Sequence, residues 1–163
     1  MRAGKVFSRD QIRVQALAGS LEEEKMPEVV RETSAMLAGM TPLLTDCEFI
    51  FCTTQDADLA ARASSRALGF FREDEGTALI LARNDARAMG FDDAMPMRRI
   101  VLSVYSALDG IGLTASVAGA LTVAEIPCNV VAAFHHDHIF VPAALAERAQ
   151  AVLAEVAARS RAD

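Results

Sequence analysis

Apolar positions change their spacing several times along the chain, and each change marks an expected element. Met26, Val30 and Leu37 recur at near-helical intervals around Pro27, which is tolerated in a first turn, so a helix is expected from Pro27 to about Ala38, before Gly39. "MTPLLTDC" then reads as a connector. "CEFIFCTT", residues 47–54, is rich in aromatic and branched side chains and reads as a strand. Asp56 is placed to cap a helix that runs to about Leu68 and stops at Gly69. In "GFFREDEGTALILAR" two extended runs, 70–73 and 77–82, flank "EDEG", whose acidic residues and glycine suit a hairpin turn. "NDARAMG" continues as a short helix that ends near Gly90.

The second half is more regular. "RRIVLSVYS" reads as a strand, "GIGLTASVAGALTVAE" as a helix, "CNVVAAF" and "HIFV" as strands, and "PAALAERAQAVLAEVAA" as a helix opened by Pro142. Leu113, Val117, Leu121 and Ala124 form one apolar stripe, and Leu145, Ala149, Val152 and Val156 form another. Both stripes need a sheet face to cover. "GTALILARNDARAMG" and "DHIFVPAALAERAQAVL" each send a short apolar strand into an alanine-rich helix, a degenerate internal repeat. The expected architecture is therefore α+β, with two related β-α-β-β-α-β modules. The second module lacks its last strand within residues 100–157, so an edge is shared or exchanged, either with the amino-terminal half or with another chain. The segment from about Asp93 to Ser106 can end one module and begin the next.

Composition narrows the function classes. The 163 residues carry a formal charge of −6. Lys5 and Lys25 are the lysines, and the arginines are scattered apart from the pair Arg98 and Arg99. No basic stripe is available to follow a phosphate backbone, which argues against nucleic acid. The long apolar window from Ile111 to Phe134 is interrupted by Glu125, Pro127 and Asn129, so no membrane span is expected. The start of the chain has no apolar run of the signal-peptide type, and a cytoplasmic location is the expectation. Cys47, Cys52 and Cys128 are odd in number, lack paired zinc or redox spacing, and read as structural thiols in strand cores.

Candidate chemistry concentrates in two stretches. "YSALDGIGLTA" leaves a strand and enters a helix whose free amides can hold a carboxylate or another anion, with Gly110 and Gly112 allowing close approach. Asp109 can cap that helix, the stronger single-residue reading, or bind a ligand amine; Thr114 or Ser116 can add a hydroxyl. The loop departs from GxGxxG, so no dinucleotide site follows. "FHHDHIF" gathers His135, His136, Asp137 and His138, yet a strand sends His136 and His138 to one face and His135 and Asp137 to the other. A tight hairpin around Asp137 with structural histidines is favoured over a metal or catalytic site. Asn129 is compatible with either a ligand contact or an edge-holding role. The carboxylates of "FREDEG" read as a solvated turn.

"DCEFIFCT", "REDEGTALIL", "YSALDGIGLTASVAGAL" and "IPCNVVAAFHHDHIFVP" together resemble a bacterial family of small ACT-like proteins, formerly grouped as a domain of unknown function. The resemblance spans roughly Pro27 to Leu153. It implies tandem ACT-like domains of ferredoxin-like topology: an extension at 1–26, a degenerate domain at 27–96, a more typical one at 97–158 and a tail at 159–163. It also implies an amino acid or related small ligand at a domain interface, held by Asp109, Gly110, Ile111, Gly112, Leu113 and Thr114, with Asn129 on the following strand. The family's common entrance has proline where this chain has Ile111. A non-catalytic regulatory protein follows from the likeness, without cofactor or metal, working as a homodimer and acting on a regulated protein partner. The alternative is a ligand-free structural or interaction module.

Overall fold

The protein is described by a computed structural model, in which residues 30–104 and 109–162 are described. Its centre is one six-stranded antiparallel sheet in the order β2-β3-β1-β4-β6-β5. The strands are β1 (Pro42–Thr54), β2 (Gly69–Glu73), β3 (Gly76–Ala82), β4 (Met97–Leu102), β5 (Asn129–Ala132) and β6 (Asp137–Pro142). The helices are α1 (Thr33–Gly39), α2 (Ala57–Ser64), α3 (Arg83–Ala88), α4 (Leu113–Val123) and α5 (Ala146–Ala162), the last entered through a 3-10 turn at Ala143–Leu145.

The edge missing from the second half comes from the first. Pro42, Leu43 and Leu44 at the start of β1 pair with Leu102, Val101 and Ile100 of β4. β1 opens the amino-terminal module and closes the carboxyl-terminal one; β4 does the reverse. Each central strand thus serves two modules of the β-α-β-β-α-β type.

This exchange requires β1 to be thirteen residues long, so "MTPLLTDC" is largely strand and not the expected connector. The turn-like residues Thr45 and Asp46 sit where the register slips: Leu44 faces Ile100 and Glu48 faces Arg98, so β1 carries two extra residues there. The bulge has its own partners. Thr45 Oγ1 donates to the Arg99 carbonyl at 3.1 Å, and the Arg98 guanidinium donates to the Thr45 carbonyl at 3.1 and 3.2 Å. Arg98 also pairs with Glu147 on α5, tying strand to helix.

Local signals explain the other boundaries. α1 begins later than expected, at Thr33, because the Glu32 carboxylate accepts from the Ser34 and Ala35 amides and fixes the start there. The amino-terminal extension and Pro27 lie outside the described residues. Asp56 caps α2 as expected, accepting from Asp58 N at 2.9 Å and Leu59 N at 3.0 Å, although the helix ends at Ser64 and Gly69 opens β2. The β2–β3 hairpin pairs Glu73 with Gly76 across Asp74 and Glu75. Gly76 has φ +142°, and a Cβ there would lie 2.6 Å from the Thr54 carbonyl oxygen.

Side-chain alternation places every helix on one sheet face. Ile50, Leu79 and Leu81 pack with Ala63 of α2 and Ala86 of α3. Ile100, Leu102, Ile139 and Val141 pack with Met36, Leu113, Val117, Leu121 and Leu153 from α1, α4 and α5. The deeply buried positions of α5 are Ala146, Ala149, Leu153 and Ala157; the expected Leu145, Val152 and Val156 flank them, half-buried. On the opposite face Phe49, Ile80, Met97 and Phe140 cluster with Val131 and with no described helix.

Candidate functional site

The entrance of α4 is built by Gly112. Its φ of +100° is left-handed, so it starts the helix without offering a capping side chain, and no other side chain among the described residues caps it. Asp109 does not cap this helix. It is exposed, and Arg31 Nη1 donates to both of its oxygens, at 2.7 and 2.5 Å. Thr33, at the start of α1, adds a second clasp: its Oγ1 donates to the Ile111 carbonyl at 2.5 Å. A Cβ on Gly112 would stand 2.8 Å from Thr33 Cγ2 and Oγ1. The close approach that Gly112 allows is therefore used by Thr33 of the same chain.

Around this entrance Ile111 is 82 % exposed, Thr114 is exposed and Gly110 is half-buried. Leu113 turns the other way, into the core beneath α4. Residues 105–108, the first part of the connector, lie outside the described residues. Asn129 is not brought to this loop. It lies directly opposite Phe140 in the β5–β6 ladder, so its side chain stands on the helix-free face. Arg31 and Thr33 carry no local signal of their role. They are 78 positions from their partners, and only packing of α1 beside α4 and α5 brings them together.

The histidine block forms its turn one step earlier than expected. β5 ends at Ala132, Ala133 N donates to the His136 carbonyl at 3.2 Å, and Asp137 is already the first residue of β6. Asp137 shares the helix-covered face with Ile139 and is buried. Burial raises its pKa, opposed by the charge of His136. His138 is on the other face, where burial first, and then the charges of Arg99 and His136, lower its pKa. Among the described residues no three His, Cys, Asp or Glu side chains come together in a way that could hold a metal ion.

All three cysteines are unpaired, and Cys47 departs from the expected core position by being exposed. Cys52 and Cys128 are half-buried, which pushes their thiol pKa values up. The carboxylates at residues 73–75 are exposed at the hairpin tip. Among the described residues no helix is long and apolar enough to cross a membrane.

Two family models, each described as an ACT domain, match residues 30–98 and 96–155. They overlap at the beginning of β4, the strand that both modules use. A search of curated proteins found no match. Among solved structures, a Vibrio cholerae protein of unknown function, described as a possible transport protein, is 35% identical with a TM-score of 0.68, over 76% of this chain and 94% of that one. An Agrobacterium tumefaciens protein is 17% identical with a TM-score of 0.54, over 72% of this chain and 89% of that one. A chain from the aspartokinase alpha and beta subunits is 8% identical with a TM-score of 0.53, over 71% and 96%; these last two likenesses show the fold alone. Matched over residues 30–155 by two tandem models and sharing one exchanged-strand sheet between them, the chain belongs to the ACT-domain family.

Proposed function

We propose that the protein is a non-catalytic regulatory module that binds an amino acid or a closely related zwitterion at the α4 entrance. The carrying observation is the pairing, in one short loop, of a helix start that no described side chain caps with the exposed Asp109 carboxylate. The first amides of α4 suit a ligand carboxylate, and Asp109 suits a ligand ammonium. Arg31 now occupies Asp109 as such an ammonium would. The exposed pair is screened by water and weak, so a ligand can displace it. Exchange of Arg31 for ligand would release the first of the two clasps between α1 and the loop, which supplies a regulatory signal.

The family supports the regulatory part of this reading, since ACT domains are regulatory modules. The division at residues 96 and 97, the contributions of Gly110, Ile111, Leu113 and Thr114, a dimeric assembly and a regulated protein partner belong to the same proposal. Leu113 contributes through its backbone, because its side chain is in the core.

Thermal-shift screening of the common amino acids, followed by calorimetry, tests it. A saturable ligand is expected, with Asp109→Asn weakening it by about tenfold or more, the range for a hydrogen bond to a charged group. If no amino acid binds a folded protein, the interaction-module reading replaces this one.

A further inference from the structure

The helix-free face of the sheet carries a cation that no acid among the described residues answers. Arg99 projects there from the middle of β4, directly opposite Phe140 of β6. Its guanidinium carbon lies 5.3 Å from the centre of the Phe49 ring, so the head leans from β4 over β1. Arg99 makes no ion pair among the described residues, and its buried Nε has no hydrogen-bond partner. His138, its diagonal neighbour on the same face, likewise has a buried Nδ1 without a partner. Resting on a ring face compensates a guanidinium only partly, because the buried Nε–H stays unmet.

The surface beside this cation is apolar and continuous. The Phe140 ring meets Phe49 edge-on at 5.7 Å and Phe51 at 5.1 Å. Beyond Phe51 a cleft of about 270 Å³ opens, floored by Ala78 and Ile80 and walled by Phe51 and Phe71. Phe51 and Phe71 are 40% and 55% exposed, large values for aromatic side chains. Among the described residues the acidic groups are turned elsewhere: Asp46, in the β1 bulge, faces Arg98 at 3.8 Å, Glu73 is on the far strand beyond the cleft, and Asp137 is on the opposite face.

We propose that this face is a second ligand site, for an apolar monocarboxylate whose headgroup rests on Arg99 and whose hydrocarbon part lies in the Phe51–Phe71 cleft. The site is separate from the α4 entrance, since the sheet stands between them. It also differs in ligand class: no acid among the described residues pairs with Arg99, so an ammonium group has no partner there. Strand rise and spacing put the cleft about 10 Å from the guanidinium, the reach of a chain of about eight carbons. Each methylene added up to that length then tightens binding by about fourfold.

Calorimetry with acetate, hexanoate and octanoate against the full chain tests the site, with octan-1-ol as the uncharged control. Saturable octanoate binding is expected, tighter than hexanoate, with acetate and octanol far weaker. Arg99→Met should weaken octanoate on the order of tenfold to a hundredfold. Phe71→Ser, at an exposed position, should weaken octanoate while sparing the fold. Asp109→Asn should leave octanoate binding unchanged, so this site and the amino-acid site fail or succeed separately. Bound octanoate should also raise the His138 pKa followed by NMR, by neutralising Arg99; His136 is the other charge acting on that ring. Octanoate that does not saturate, octanol that binds equally, or Arg99→Met that binds as before would each overturn the proposal. So would a concentration-dependent dimer abolished by Phe71→Ser, which would give the face to a second copy of the chain.

Discussion

Gly112 and Gly119 belong to the same glycine-bearing stretch but have opposite requirements. Gly112 sits at φ +100° with Thr33 where a side chain would go, whereas Gly119 is helical and a Cβ there meets nothing within 4 Å. Urea denaturation should therefore show Gly112→Ala destabilising the fold by about 1–3 kcal/mol, the usual cost of a strained backbone position. Gly119→Ala should instead stabilise it by about 0.5–1 kcal/mol, through helix propensity. The sequence alone pointed to Gly110 and Gly112 as allowing close approach at the helix entrance. It could not show what approaches, because that is a threonine 79 positions away. Local side chains were more readable. Asp56 has its two amides within three residues, so its cap was visible in advance, while Asp109 had a distant arginine as competitor for the same carboxylate.

The element that resisted prediction most is the first half of β1. Pro42, Thr45 and Asp46 carry turn chemistry, and β propensity depends on what lies across the strand, so the pattern read as a connector. What makes it a strand is β4, whose free edge needs a partner, and Arg98, which reaches the bulge carbonyl that a regular ladder would leave unpaired. Arg98→Met should cost about 1.5–3 kcal/mol in chemical denaturation, the range for a hydrogen bond to a charged group, because the Thr45 carbonyl and Glu147 both lose their partner. Elements whose contacts are local, such as the β2–β3 hairpin and the buried stripe of α4, were legible at once. The His-rich turn was legible as a hairpin but not in register, since alternation fixes faces and not the residue at which a turn closes.

For the molecule as a whole, β1 and β4 make the two modules interdependent. Residues 97–162 made alone lack the strand that closes their sheet and leave the β4 edge open, so circular dichroism and NMR should show this fragment unfolded or aggregated. The full chain should unfold in a single transition that coincides by both probes. The tandem, ferredoxin-like plan was readable from the order of elements, and so was the need for a foreign edge; its source was left between the other half and another chain. The exchange also changes what a break in the chain does. Arg83 and Arg87 hold Asp93 in the connection from α3 to β4. A protease cut between Phe91 and Pro96 divides the polypeptide but removes neither of the two pairings that join β1 to β3 and to β4. The two pieces should migrate separately in denaturing gel and together in native gel, which makes the protein a natural candidate for splitting into halves that find each other again.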